Sequence, residues 1–131
     1  MTAKEKILIM EDERPLANAL GFKFKAAGFS VDVAYDGTEG SEKLKAGSCD
    51  MLLLDLSMPK KDGFAVLEEM RAAGVKTPVI ALTNLSQKED LDRVKSYDIA
   101  DYLVKSDVAL KDVVERVQTF FGKSSGKTAT A

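Results

Sequence analysis

The chain has 131 residues, of which 45% are hydrophobic and 31% charged, with a formal net charge of −2 at pH 7. That suits one globular domain whose core needs no disulfide or metal staple, and it offers no basic field to attract nucleic acid by phosphate neutralisation. Cys49 is the single cysteine and histidine is absent, which excludes an intramolecular disulfide, histidine metal sites, Ser-His nucleophile pairs and a phosphohistidine made by this chain.

Lys6 to Met10 (KILIM) reads as a buried first strand that runs out onto Glu11, Asp12 and Glu13. Pro15 suits the first turn of a helix, where its missing N–H costs nothing, and Leu16, Leu20 and Phe24 recur every four residues before Gly28 stops the pattern. Ser30 to Tyr35 alternates as a half-exposed edge strand does, and Asp36-Gly37 turns the chain. A weak helix is expected from about Thr38 to Ala46, since it contains Gly40 and few apolar anchors, with Gly47 closing it. Cys49 reads as a small packing residue ahead of the third strand. That strand, Met51-Leu52-Leu53-Leu54-Asp55, is an unbroken apolar run stopping on a carboxylate, as expected at the centre of a parallel sheet covered on both faces.

Pro59 blocks regular structure in LSMPKKDG, and Asp62-Gly63 makes a turn able to cap a third helix with Phe64, Leu67 and Met70 facing inward. Met58 and Met70 read as packing residues. Pro78 to Thr83 (PVIALT) is a further apolar strand, ending on a hydroxyl. Ser86-Gln87-Lys88-Glu89 has capping-box spacing and is expected to open a helix to about Tyr97, anchored mainly by Leu91 and Val94 and so held less firmly than its neighbours. Asp101 to Val104 (DYLV) gives a fifth strand ending on Lys105. Ser106 or Asp107 is expected to cap the last helix, whose inward face is Leu110, Val113, Val114, Val117 and Phe121. From Gly122 periodicity is lost, so the expected organisation is one domain over 1–121 and a flexible tail or truncated linker over 122–131.

Five strands alternating with five helical patterns imply an α/β fold, a doubly wound five-stranded parallel sheet of the (βα)5 type. Right-handed crossovers leave few topologies, and the flavodoxin-like order 2-1-3-4-5 is the common one at this size. It sets Glu11, Asp12 and Asp55 side by side at the carboxyl edge, where open α/β sheets bind ligands, with Thr83 and Lys105 next to them. Taken singly these residues have plain readings: Asp55 as a turn or cap, Lys105 as a solvated charge, Thr83 as a β-branched strand residue, Tyr102 as a packing aromatic. Jointly they point to chemistry. Three acids at one edge repel unless a cation joins them, and an all-oxygen donor set favours Mg2+ or Mn2+ over zinc. Such a cation pairs naturally with a phosphoryl group, and Asp55 is then a candidate nucleophile, since carboxylates form aspartyl-phosphates.

The stretches ILIMEDE, LLLDLSMPKKDG, VIALTN and DYLVK, in this order and spacing, resemble the receiver domain of two-component response regulators over roughly residues 5 to 121. The resemblance implies a cytoplasmic phosphoacceptor switch, not an enzyme, which assists its own phosphorylation and slow dephosphorylation. Asp55 would take a phosphoryl group from the phosphohistidine of a sensor histidine kinase or histidine phosphotransfer protein. Glu11, Asp12, Asp55 and the backbone carbonyl of Ser57 would hold Mg2+, while Lys105 and Thr83 would contact the phosphoryl group. Tyr102 matches the switch aromatic. A downstream protein target would read the surface of the fourth helix, fifth strand and fifth helix, and a phosphorylation-dependent homodimer is a further implied partner. Neither direct nucleic-acid contact nor membrane contact is implied.

Three positions depart from the family pattern, and two more bear on how long a phosphoryl group lasts. Ser106 follows Lys105 where proline with a cis bond is usual, Asp98 stands where glycine is common, and Asn84 replaces a small residue and is expected to narrow access to Asp55. Ser57 and Leu85 occupy positions that tune hydrolysis in the family, and apolar Leu85 is expected to orient no attacking water and so to slow dephosphorylation. Three other readings compete. A phosphatase of the haloacid dehalogenase type wants a carboxylate where Ser57 stands. A flavin site wants a phosphate-binding loop where Glu11, Asp12 and Glu13 would repel phosphate. A receiver-like interaction module working without phosphorylation would have a damaged site, whereas every functional side chain is present here.

Overall fold

Strongly apolar runs separated by amphipathic ones can bury themselves only as a central sheet with helices on both faces. The computed structural model, which describes residues 4–47 and 49–123, has this form. Its elements are β1 (Lys6–Met10), α1 (Arg14–Ala26), β2 (Ser30–Ala34), α2 (Gly37–Ala46), β3 (Met51–Leu54), α3 (Gly63–Ala72), β4 (Val79–Thr83), α4 (Lys88–Lys95), β5 (Asp101–Val104) and α5 (Leu110–Phe120). The strands are parallel in the order β2-β1-β3-β4-β5, as expected from the sequence. Of the tail expected at 122–131, positions 124–131 lie outside the described residues.

The period-two alternation of a strand divides the core in two. Ile7, Ile9, Met51, Leu53, Ile80 and Leu82 point to the side covered by Leu20 and Phe24 of α1 and Val113 and Val117 of α5. Leu8, Met10, Leu52, Leu54 and Ala81 point to the other side, against Phe64, Leu67 and Met70 of α3 and Val94 of α4. Every residue of β3 is therefore buried, which is why its sequence shows no alternation. Cys49 packs at the edge of the second layer, in keeping with a packing role.

Several local expectations hold and two do not. Pro lies in the first turn of α1. The Asp36 carboxylate accepts from the Glu39 amide and that of Asp62 from the Ala65 amide, capping α2 and α3. Asp98 takes the left-handed conformation at φ 54°, which Asp tolerates better than most residues. The capping box at Ser86 does not form, because α4 begins one residue late, with Gln87 at its N-cap and no side-chain bond there. Neither Ser106 nor Asp107 caps α5. Residues Lys105–Asp107 form a 3-10 turn, and the helix starts after Ala109, whose amide donates to the Asp112 carboxylate at 2.8 Å. The Lys105–Ser106 peptide is trans, like every other among the described residues.

One glycine matters for what β3 presents. A Cβ on Gly63 would come within 2.6 Å of the Asp55 carbonyl oxygen and of the Leu56 Cα, both backbone atoms that cannot swing aside. The Gly63 amide also donates to the Leu56 carbonyl at 3.0 Å, so the start of α3 rests directly on the segment bearing Asp55. Gly63→Ala is expected to destabilise the fold by about 1–3 kcal/mol, the usual cost of overpacking, read as a lower urea midpoint at unchanged slope.

Candidate functional site

Sheet register assembles the site. Met10 pairs with Leu54, so the chain leaves β1 at Glu11 beside the point where it leaves β3 at Asp55, and the Asp55 amide donates to the Met10 carbonyl at 3.0 Å. Thr83, last residue of β4, pairs with Val104, last residue of β5, which brings Lys105 to the same edge. Both Glu11 and Asp55 are buried, at 1% and 4% exposure, and Asp12 is half-buried. Carboxylate oxygens of Glu11, Asp12 and Asp55 lie within 4.8 Å of one another.

The Lys105 ammonium stands at the centre of these acids. Its Nζ lies 2.9 Å from Asp55 Oδ2, 2.7 Å from Glu11 Oε1 and 3.0 Å from Glu13 Oε1. The contacts to Asp55 and Glu13 are hydrogen bonds, while Glu11 Oε1 is close in charge but has no aligned donor. Burial pushes the Glu11 carboxyl up to about 7, against the downward pull of Lys105 and of the Glu13 amide, with the Asp55 charge adding to the rise. Burial would lower the Lys105 ammonium, but its contacts with Glu11, Asp55 and Glu13 outweigh that and raise it above the ordinary lysine value. The remaining oxygen of Asp55, Oδ1, accepts from the Ser57 amide at 3.0 Å.

A hard divalent cation fits this donor set. The ligand atoms offered are all oxygen, one buried carboxylate oxygen lacks an aligned partner, and the acids face each other at coordination range. Glu11, Asp12 and Asp55 could hold Mg2+ or Mn2+ while Lys105 turns to another anion.

Thr83 is fully buried; its hydroxyl accepts from the Leu85 amide at 3.4 Å, a long bond. Tyr102 is half-buried, and its hydroxyl donates to the Leu85 carbonyl. The Leu85 backbone thus joins the two residues expected to act as a switch, a link that no side-chain pattern could reveal. Burial, followed by the charges of Asp90 and Asp55, raises the Tyr102 phenol above its usual value. Asn84 is exposed. Sequence reasoning also passed over Glu13 as a site residue. It is the N-cap of α1 but makes no capping bond, and its carboxylate goes to Lys105 instead. The run of three acids before a helix-opening proline was the available signal.

Acids after β1 and β3, a hydroxyl at the end of β4 and a lysine after β5, gathered at the carboxyl edge of a doubly wound sheet, define an α/β protein with an acidic cluster and one lysine at its topological switch point. The chain belongs to the response regulator receiver domain family, whose profile matches residues 7–118. It is 40% identical over 102 residues to the transcriptional regulatory protein DltR of Streptococcus agalactiae, covering 76% of this chain and 45% of that one. It is 37% identical over 122 residues to the transcriptional regulatory protein CiaR of Streptococcus pneumoniae, covering 93% and 53%. The chain therefore spans about half the length of these curated relatives. Among solved structures, the receiver domain of the Francisella response regulator 1452 superposes with a TM-score of 0.83 at 28% identity, covering 91% of this chain and 98% of that one. A CheY-like receiver domain protein from Methanospirillum hungatei shares the fold at a TM-score of 0.85 and 20% identity, covering 92% and 95%.

Lys105→Met removes the charge that offsets three carboxylates, two of them buried. Without divalent cation it is expected to cost about 3 kcal/mol, as breaking a buried ion pair does, and millimolar Mg2+ should recover part of the loss. Urea unfolding with and without Mg2+ measures both quantities.

Proposed function

We propose that this domain is a phosphorylation switch in which Asp55 accepts a phosphoryl group from the phosphohistidine of a sensor histidine kinase or histidine phosphotransfer protein. The observation that carries this reading is the Lys105 ammonium bound to Asp55 Oδ2 at 2.9 Å, inside a cluster with Glu11 and Asp12 that fits a divalent cation. An Asp55 carboxylate oxygen attacks phosphorus, the bond from phosphorus to the donor's imidazole nitrogen breaks, and its electron pair leaves with the imidazole. Mg2+ or Mn2+, held by Glu11, Asp12, Asp55 and the Ser57 backbone carbonyl, would neutralise charge on the transferring oxygens. Lys105 exchanges carboxylate contacts for a phosphoryl oxygen and holds it in place. The domain does not act on a separate substrate; its own carboxylate is the acceptor, and its own residues assist uptake and slow loss of the group.

Phosphorylation adds about −1.5 to −2 charge and strong acceptor oxygens at one point. The Thr83 hydroxyl has only a long 3.4 Å contact to give up when it moves to such an acceptor. That movement shifts the Leu85 peptide, to which the Tyr102 hydroxyl is bound. With Val94 as its one buried residue and no side-chain N-cap, α4 is the α-helix with least to lose by moving. The population shift changes the surface of α4, β5 and α5, which a downstream protein, or a second copy of the domain, reads. Among the described residues no helix is long and apolar enough to cross a membrane. Membership of the receiver family supports a cytoplasmic role. Two relatives are named transcriptional regulatory proteins, and this chain spans about half of each. Any DNA contact in a longer protein of that kind belongs to its other half, not to this domain of net charge −2.

Incubation with Mg2+ and acetyl phosphate is expected to add one phosphoryl mass to the intact chain. The adduct should vanish with chelator or in Asp55→Asn, and an adduct that survives either change contradicts the assignment.

A further inference from the structure

We propose that Glu13 gates the site: it restrains Lys105 and places negative charge at the mouth, so that it slows phosphoryl uptake from free dianionic donors. This rests on the reading of Asp55 as the acceptor, and assigns Glu13 a positioning role that acts through Lys105.

Three observations carry it. An ammonium has three protons, and Lys105 already gives hydrogen bonds to Asp55 and Glu13 while lying 2.7 Å from Glu11. A phosphoryl oxygen must therefore compete for Lys105 with the carboxylates already crowded around it. Glu13 is the candidate to give way, because its side chain is 61% exposed where those of Glu11 and Asp55 are 2% and 5%, so water can take over its solvation. Second, the Glu13 carboxylate is not fixed by helix capping: α1 has no side-chain cap bond, although Glu13 sits in the N-cap position. Its partner across 92 residues of sequence is Lys105. Third, the Glu13 amide donates to Glu11 Oε2 at 3.0 Å, which keeps its backbone at the acid cluster while its carboxylate reaches Lys105 from the solvent side.

An incoming phosphoryl donor therefore meets an exposed carboxylate on the very lysine it must recruit. Like charge at an opening lowers the local concentration of an anion, more for a dianion than for a monoanion, and salt screens the effect. Exposed ion pairs are weak, so the gate should be worth about twofold to fivefold in rate.

The test follows phosphoryl incorporation by intact mass at saturating Mg2+ in wild type, Glu13→Gln and Glu13→Asp. Acetyl phosphate serves as the dianionic donor and phosphoramidate as the monoanionic one, each at low and high ionic strength. Glu13→Gln should be about twofold to fivefold faster with acetyl phosphate. It should gain less with phosphoramidate and lose its advantage at high salt, while Glu13→Asp, which keeps the charge, should stay nearer wild type. Equal gains with both donors, an unchanged or slower Glu13→Gln, or weakened Mg2+ binding in a calorimetric titration of Glu13→Gln would overturn the gate. If wild type labels on Asp55 and Glu13→Gln is no faster, the gate alone fails. If wild type takes no phosphoryl group on Asp55, the acceptor reading fails and the gate with it.

Discussion

Two carboxylates buried at the ends of adjacent strands must be neutralised, and the rest of the structure follows from how that is done. Glu11 and Asp55 are almost without solvent, so their charges are neither hydrated nor screened. Burial raises the Glu11 carboxyl to about 7, so charge at this position is held at a cost. In the structure described here the Lys105 ammonium meets that cost from the far side of β4. A site neutralised by a lysine can be neutralised by a divalent cation instead, and the lysine is then free for a second anion. That exchange is the physical basis of a phosphoacceptor.

The sheet supplies position and the loops supply movement. β1 is buried from Ile7 on and β3 throughout, and their ends are joined by the Asp55 N–H donating to the Met10 carbonyl. β4 is as deeply buried; after Thr83 the chain is held at Leu85, whose side chain packs on the core and whose backbone makes a long bond to the Thr83 hydroxyl and accepts one from Tyr102. The far end of α4 is better held. Arg71 of α3 donates to the carbonyls of Tyr97 and Val75, and the Arg93 guanidinium lies 4.0 Å from the centre of the Phe64 ring. Hence α4 is anchored toward its C-terminal end and loose at the end facing the site, which suits a lever moved from Thr83.

The fold was legible because β3 carries four apolar residues in a row and the helices carry spaced ones; a central parallel strand and amphipathic covers are what such patterns can form. The positions of Glu11, Asp12, Asp55, Thr83 and Lys105 were legible for a related reason, since each stands at a strand's carboxyl end. The caps of α4 and α5 were not. Ser86 has the right spacing from Glu89, yet the helix opens one residue later, and Lys105–Asp107 is drawn into a 3-10 turn after Lys105 reaches into the acids. In the second case a tertiary ion pair overrides a local capping preference. Glu13 and the Leu85 peptide escaped notice because one acts through a partner 92 residues away and the other through its backbone.

The central claim is that charge placed on Asp55 is felt at Tyr102 through Thr83 and Leu85. Amide and aromatic NMR spectra recorded before and after phosphorylation, in wild type and Thr83→Ala, test it most directly. The account predicts shifts at Leu85, Tyr102 and the first turn of α4 in wild type, and their loss in Thr83→Ala even though Asp55 still carries the phosphoryl group. Full shifts at Tyr102 and α4 in phosphorylated Thr83→Ala would contradict it.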